Sequence, residues 1–215
     1  MNLNLNLECI RKVVNDSNFF EIYKEFYNGI PCDIIPGEHY PLFVTIASQL
    51  NNKQILDIGT NNGYSALAFS YNNNNVYSYD INTDALNSKL LNMNKFKFST
   101  ENLMNSNYRN LPNIKQHILT SDVIFVDIDP HTGILEYEFY LFLKKEKYKG
   151  ILILDDIYLG KKGHAFENRA EHGHCMYQNL WSKIPESEKI CVSHIGHVSG
   201  TGIVNFNSEN IIRLF

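Results

Sequence analysis

The chain lacks the features that mark several broad classes of protein. Its 215 residues include only four cysteines, and no two of these form a C-x-x-C pair. No disulfide framework is indicated, and a reduced, intracellular setting is the simplest reading. No apolar run approaches the roughly 20 residues of a membrane-spanning helix, and the N-terminus has no apolar segment typical of a signal peptide. We therefore expect a cytoplasmic protein with no membrane partner.

An excess of positive charge is also missing. The chain has 19 Lys and Arg against 23 Asp and Glu, for a formal net charge of -4. The densest basic run spans residues 144–149 and follows an apolar helical pattern, so it is typical of a helix C-terminus. Phosphate binding depends on clustered basic residues. We therefore expect no nucleic-acid partner.

The length suits a single domain, residues 1–215, with a substantial core. Aromatic residues recur at helical spacing between Phe19 and Tyr27, after Ser17 as a plausible N-cap. Pro41 suits the first turn of another helix that ends near Leu50. These patterns predict that residues 1–50 form an N-terminal helical cap on a core of residues 51–215.

From residue 54 onward, short apolar runs alternate with helical stretches. The central runs are apolar at nearly every position, which is typical of parallel strands covered on both faces. The predicted helices span residues 64–71, 83–92, 134–147 and 176–183, and the predicted strands span residues 55–58, 76–79, 95–98, 123–126, 151–154, 190–193 and 202–206. This alternation predicts a doubly wound α/β domain with N-terminal helices.

A glycine-containing turn follows the first of these strands. Gly59 and Gly63 let the backbone approach a ligand, and a helix that begins near Gly63 offers free N–H groups. The spacing is G-x-x-x-G after the acid Asp57, which differs from the G-x-G-x-x-G of dinucleotide-binding folds and disfavours an NAD-dependent oxidoreductase. Asp80 follows the second strand, where a carboxylate can accept hydrogen bonds from both hydroxyls of a ribose.

The stretch ILDIGTNNGYSALAF, residues 55–69, together with Asp80, resembles the S-adenosylmethionine (SAM) dependent methyltransferase superfamily. The resemblance covers roughly residues 38–206 and implies a mostly parallel seven-stranded sheet whose last strand is antiparallel. It also implies that the loop after the third strand contacts adenine. An acid at Asp57 could receive the ammonium group of SAM, directly or through water. The candidate SAM-binding residues are Asp57, Gly59, Thr60, Asn61, Gly63, Tyr64, Ser65, Asp80 and Glu101.

Acidic clusters follow the strands at 123–126 and 151–154. Asp127 and Asp129 come after one, and Asp155 and Asp156 come after the other. Neighbouring parallel strands place both clusters at one edge of the sheet, where like charges repel and raise one another's pKa. A bound cation resolves this repulsion, and carboxylate oxygens favour Mg²⁺, or alternatively Mn²⁺ or Ca²⁺.

The clusters resemble those of metal-dependent O-methyltransferases that act on small molecules. Catechol and caffeoyl-CoA methyltransferases carry Asp-Asn after the fifth strand, whereas Asp155-Asp156 is more similar to the macrocin and cephalosporin-biosynthesis enzymes. By this resemblance Asp127, Asp155 and Asp156 would be metal ligands. Pro130 stands where the catechol type has a lysine, so Asp129 or His131 is the candidate base.

The sequence thus predicts a SAM-dependent methyltransferase that acts on a hydroxyl of a small molecule with the help of a divalent metal. Two alternatives stay open: a catalytically silent SAM-binding regulatory module, and a methyltransferase with a macromolecular acceptor. A homo-oligomer is compatible with either. Residues 161–175 predict a lid over the acceptor rather than a zinc site. His197 is a further candidate for the acceptor pocket, and Tyr40 is a further candidate for contact with the cofactor.

Overall fold

A seven-stranded sheet forms the centre of the computed structural model, which describes residues 1–17, 21, 25, 39–82 and 84–215. The strand order across the sheet is β4-β3-β2-β5-β6-β8-β7. The strands are β2 (Gln54–Ile58), β3 (Asn75–Tyr79), β4 (Phe96–Ser99), β5 (Val123–Val126), β6 (Ile151–Leu154), β7 (Lys189–Cys191) and β8 (Gly202–Asn205). Each predicted strand is present, and the doubly wound α/β fold is confirmed.

Strands β2 through β6 are all parallel to one another in the sheet. The connections between parallel strands cross over the faces of the sheet, and accordingly the residues of β5 and β6 are buried throughout. Strand β8 runs antiparallel to both β6 and β7, with Ile153 opposite Ile203. The expected antiparallel last strand of the sheet is therefore present.

Helices pack on the two faces of this sheet. They are α1 (Leu7–Asp16), α2 (Tyr40–Ser48), α3 (Tyr64–Phe69), α4 (Ser106–Arg109), α5 (Pro112–Thr120), α6 (Ile134–Lys145) and α7 (Met176–Asn179). On one face Phe43 and Phe69 stack with ring centroids 4.4 Å apart and pack against Phe125 of β5. On the other face Phe139 and Leu143 of α6 are fully buried. Within the described residues, no helix combines the length and the apolar character needed to span a bilayer.

The prediction that residues 1–50 are helical is wrong at the start of the chain. Residues Asn2–Asn4 form strand β1, which pairs in parallel with β9 (Ile211–Arg213). The alternation of Asn and Leu has the period of a strand, and Leu3 and Leu5 are fully buried whereas Asn2 and Asn4 are exposed. The alternating run is only a few residues long and leads directly into a helical pattern, so the sequence alone did not distinguish the strand from the helix.

Ser17, the predicted N-cap of the aromatic helix, is the C-cap of α1, and the start of the predicted helix lies outside the described residues. The Ser17 N–H donates to the Val13 carbonyl at 2.9 Å and its hydroxyl to the Val14 carbonyl at 3.2 Å. The N-cap of α1 is Asn6, which accepts from the Cys9 N–H at 2.8 Å. Most of the aromatic helix predicted between residues 19 and 27 lies outside the described residues.

The helix predicted over residues 83–92 is also wrong. Residues 84–92 form turns and a short 3-10 helix, Leu90–Asn92, while residue 83 lies outside the described part of the chain. The side chains of Asn82 and Asn87 accept from the N–H groups of Asp84 and Lys89 at 2.8 and 3.0 Å. Such side-chain bonds compete with helix formation. The predicted helix over 176–183 divides likewise into α7 and a 3-10 turn, Trp181–Lys183.

Candidate active site

A cavity of about 650 Å³ opens at the carboxyl edge of the sheet. Five strands each deliver lining residues immediately or shortly after they end, and the first acid or glycine in each case is Gly59, Asp80, Glu101, Asp127 or Asp155. From β2 the chain first builds outward to β3 and β4 and later returns to add β5 and β6 on the other side. The cavity therefore lies at the topological switch point, where open α/β sheets bind ligands.

The turn between β2 and α3 brings the backbone close to β5. Gly59 has φ of 89°, and a Cβ there would lie 1.8 Å from the Asp127 carbonyl oxygen. The Gly59 N–H donates to the Tyr79 carbonyl at 2.8 Å, and the Asp127 N–H donates to the Ile58 carbonyl at 2.9 Å. Only glycine fits this position without moving one of the two strands.

Asp57 lies beneath this turn and has no exposed surface. Its carboxylate accepts from the Ser65 hydroxyl at 2.8 Å and the Ser78 hydroxyl at 2.9 Å. Burial raises the pKa of Asp57 above its ordinary value, and these hydrogen bonds oppose the shift. Asp57 thus joins β2, α3 and β3 from below, and its carboxylate does not line the cavity.

The predicted cofactor residues divide into two groups. Asp80 accepts from the Asn61 N–H at 2.7 Å and from the Asn82 N–H at 3.1 Å, while Glu101 accepts from the Ser99 hydroxyl at 3.0 Å. Their carboxylates are therefore fixed at the cavity wall. Of the predicted set, Gly59, Asn61, Asp80 and Glu101 line the cavity, whereas Asp57, Thr60, Gly63, Tyr64 and Ser65 do not line it.

Apolar side chains face the same end of the cavity and were not predicted. Ile81 follows Asp80 and is 71% exposed, while Leu103 and Met104 are buried in the loop after β4. An exposed isoleucine beside a polar cavity is a surface for a flat apolar ligand group. The sequence signal was the apolar residue directly after the predicted ribose-binding acid.

At the other end, Asp127, His131 and Asp156 face one another. The His131 Nε2 lies 3.3 Å from an Asp156 carboxylate oxygen, and its Nδ1 lies 3.9 Å from an Asp127 oxygen. Burial, followed by the charges of Asp155 and Asp156, raises the pKa of Asp127 well above its ordinary value. One donor atom from each of the three residues lies within 4.8 Å of the others.

Asp155 instead faces two histidines. Its oxygens lie 3.3 Å from His39 Nδ1 and 3.1 Å from His197 Nδ1. Burial alone would raise the pKa of Asp155, but both histidines hold it below its ordinary value. Burial likewise opposes protonation of His197, yet hydrogen bonds with Asp155 and Asp156 raise its pKa to about 11.

The three predicted metal ligands thus meet at one cavity but belong to two adjacent sets of donor atoms, Asp127–His131–Asp156 and His39–Asp155–His197. Carboxylate oxygens and imidazole nitrogens are both cation ligands, so the residues present fit a divalent ion. Asp129, one candidate base, is exposed and also lines the cavity. His39 was not predicted as a ligand because Asp155 and His197, the residues it faces, are far from it in the sequence.

A second cavity of about 310 Å³ adjoins the first and shares Asp129, His131, Asp156 and His197 with it. Phe166, Arg169 and His174 line its outer side and come from the predicted lid segment. Among the described residues, His164, His172, His174 and Cys175 form no converging set of metal ligands. The segment contributes a wall beside the acidic cluster.

Comparison with known proteins identifies the fold. No family model and no curated protein matches the chain. Among solved structures, the S-adenosylhomocysteine (SAH) bound methyltransferase PaMTH1 of Podospora anserina is 16% identical with a TM-score of 0.56, covering 77% of this chain and 76% of its own. A Staphylococcus aureus protein provisionally described as a caffeoyl-CoA O-methyltransferase is 20% identical with a TM-score of 0.58, over 91% and 98%.

A third structure, the O-methyltransferase TomG of Streptomyces achromogenes in complex with SAM, is 14% identical with a TM-score of 0.51, over 92% of this chain and 89% of its own. Likeness at this level of identity establishes the shared architecture. The chain therefore has the Rossmann-like fold of the SAM-dependent methyltransferases, as the turn at Gly59 and the seven-stranded sheet indicate.

Proposed function

We propose that the protein is a SAM-dependent methyltransferase that transfers a methyl group to a hydroxyl of a small molecule with the help of a divalent cation. One observation carries the proposal. A single cavity at the switch point has a fixed carboxylate, Asp80, at one end and the acidic cluster of Asp127, Asp155 and Asp156 at the other. The fold shared with SAM-bound and SAH-bound methyltransferases supports it.

The cofactor fits the end of the cavity near Asp80. Two backbone N–H groups already orient the Asp80 carboxylate, and its remaining lone pairs can accept from the two ribose hydroxyls. Ile81 and Met104 offer apolar surface to the adenine ring, with Glu101 beside them. Gly59 lines the same cavity, so the amino-acid tail can lie against its backbone. The methyl group then faces the acidic cluster.

The acceptor fits the adjoining cavity of about 310 Å³, which is the size of a small ring with few substituents. Phe166 supplies an apolar wall and Arg169 a positive charge. Asp129 and His131 line both cavities, so either side chain can reach a hydroxyl placed between the acceptor and the methyl group. Positioning of the two reactants accounts for much of the rate in this arrangement.

The proton of the hydroxyl has two candidate destinations, Asp129 and His131. Of these two residues, Asp129 is exposed to solvent, whereas His131 lies between the carboxylates of Asp127 and Asp156. The divalent cation, Mg²⁺ or alternatively Mn²⁺ or Ca²⁺, would be held by Asp127, Asp155 and Asp156. A cation there lowers the pKa of a nearby hydroxyl and so makes it a better nucleophile.

Cofactor binding tests the first half of the proposal. Asp80→Ala should weaken SAH binding by about tenfold or more, since it removes a charge-assisted hydrogen-bond acceptor worth roughly 1.5–3 kcal/mol. Asp84→Ala is the matched control, because Asp84 is exposed and does not line the cavity. Isothermal titration of SAH measures both variants. Equal affinities, or no SAH binding by the wild-type chain, would reject the assigned cofactor site.

Metal dependence tests the second half. Asp155→Ala should abolish methyl transfer to hydroxyl acceptors while SAH affinity stays within about twofold, since Asp155 lies at the acceptor end of the cavity. Chelation with EDTA should abolish the wild-type activity, and added Mg²⁺ should restore it. Full activity in EDTA would remove the cation from the reaction. Tight SAH binding without turnover on any hydroxyl acceptor would favour a silent regulatory module.

A further inference from the structure

We infer that His39, Asp155 and His197 form a second cation site, which shares Asp155 with the cation site proposed above and is suited to a divalent transition ion of the Zn²⁺ kind. It lies beside the set of Asp127, His131 and Asp156. The three residues come from distant parts of the chain: His39 precedes α2, Asp155 follows β6, and His197 lies in the connection between β7 and β8. The inference does not depend on methyl transfer.

The distances match those between ligands of one ion. Asp155 oxygens lie 3.3 Å from His39 Nδ1 and 3.1 Å from His197 Nδ1. All three donor atoms lie within 4.8 Å of one another. Ligands at about 2.0–2.1 Å from a tetrahedral ion are roughly 3.3 Å apart. An ion among these three atoms would take the place of the proton that His197 Nδ1 shares with Asp155, so its binding releases a proton and needs little side-chain movement.

The hydrogen bonding of His39 points independently to a ligand. The residue is 2% exposed, yet neither of its ring nitrogens has a hydrogen-bond partner among the described residues. Its Nδ1 lies 3.3 Å from an Asp155 carboxylate oxygen and is directed into the set of donor atoms. A buried polar atom without a partner is costly, and a bound ion would satisfy this one.

The surroundings hold the imidazole in this orientation. The His39 ring stacks on Phe43 with centroids 4.5 Å apart and meets the edge of Phe125 at 5.3 Å. On the other side, the His197 N–H donates to the Thr201 hydroxyl at 2.8 Å, which anchors its loop. Aromatic walls and anchored ligands of this kind support a metal site and limit solvent access.

The donor set also favours a particular class of ion. Two imidazoles and one carboxylate are the ligands that Zn²⁺ and its neighbours accept, whereas Mg²⁺ and Ca²⁺ require mostly oxygen. His197 Nδ1 also lies 3.4 Å from an Asp156 oxygen, so the two sets of donors are in direct contact. An ion at His39 and His197 would therefore stand next to the acidic cluster.

The test is a titration of the metal-free full chain with Zn²⁺ and separately with Mg²⁺, followed by calorimetry. Wild type should bind Zn²⁺ at least about a hundredfold more tightly than Mg²⁺. His39→Phe, which keeps the stacking on Phe43, and His197→Gln should each weaken Zn²⁺ binding by at least about tenfold. The control His172→Gln changes an exposed histidine outside both sets and should have no effect.

Two further measurements separate the outcomes. His39→Gln is a second variant at the buried position, and thermal melting without metal shows which variants fold. Unchanged Zn²⁺ affinity in the folded variants at both histidines, or no Zn²⁺ binding by wild type, overturns the inference. A loss confined to His131→Gln also overturns it, by assigning the ion to the neighbouring set. Normal Zn²⁺ binding without SAH binding upholds the inference while the proposed function fails.

Discussion

Glu136 is a buried acid that takes no part in the candidate site. It lies in the first turn of α6, is 1% exposed and has no side-chain partner among the described residues. Burial raises its pKa from 4.5 to about 7, although backbone hydrogen bonds near the helix N-terminus oppose the shift. The folded protein therefore binds a proton here more tightly than the unfolded chain does.

This shift predicts how stability depends on pH. Because the folded pKa is raised, the contribution of Glu136 is most favourable below pH 4.5 and is lost as the pH rises toward about 7. Glu136→Gln removes the ionisation and should stabilise the protein at pH 8 by up to roughly 3 kcal/mol. Urea unfolding of both proteins at pH 5 and pH 8 measures this. The prediction is contradicted if Glu136→Gln changes the free energy of unfolding by the same amount at pH 5 and at pH 8.

At the scale of single residues, the sequence predicted the positions that follow strands. Asp80 and Asp127 come directly after apolar runs, so their location at the sheet edge could be read without knowledge of the fold. Burial and distant contacts could not be predicted in this way. The buried carboxylate of Asp57 accepts hydrogen bonds from Ser65 and Ser78. His39 contacts Asp155, which is distant from it in the sequence.

At the scale of elements, the turn after β2 depends on one glycine. Gly59→Ala should destabilise the fold by about 3 kcal/mol or more and weaken SAH binding, since the new methyl group meets the Asp127 carbonyl oxygen. Gly163→Ala is a matched control, because Gly163 also has positive φ, 75°, but open space around it. Its cost should be only about 1 kcal/mol.

Denaturant unfolding and SAH titration measure both glycine variants. Similar costs at the two positions would show that φ alone, and not the approach of β2 to β5, sets the requirement for glycine. The difference between the variants therefore isolates the effect of the contact.

The strands were easier to predict from sequence than the helices. Runs such as VIFV and ILIL are buried on both faces, so apolar composition alone marks them. The helix predicted over 83–92 failed because asparagine side chains hydrogen-bond to nearby backbone, which a hydrophobic pattern does not register. Helix α5, with Pro112 at its start, was not predicted at all.

At the scale of the whole molecule, β9 pairs with β1 and so connects residues 211–213 to residues 2–4. The Leu5 N–H donates to the Arg213 carbonyl at 2.7 Å, and Arg213 also donates to the Asn2 side chain at 2.7 Å. Removal of residues 211–215 should lower the free energy of unfolding by about 2–4 kcal/mol, since several hydrogen bonds are lost. SAH affinity should stay within about twofold, because the pair lies outside the cavity.

Thermal or urea unfolding of the truncated chain measures this loss. Deletion of Phe215 alone is the control, because that side chain is fully exposed and should contribute little. A truncated chain as stable as wild type would show that Leu3 and Leu5 are held by the core without help from β9.

The pairing of β1 with β9 also bears on how the protein is made. Asn2 and Arg213 are 211 residues apart, so closing this loop costs roughly 5 kcal/mol of chain entropy beyond a fixed term. A ribosome adds about 5–20 residues per second, so β1 emerges roughly 10–40 seconds before its partner strand exists. During that time Leu3 and Leu5 have no β9 beside them, so β1 pairs long after it has been synthesised.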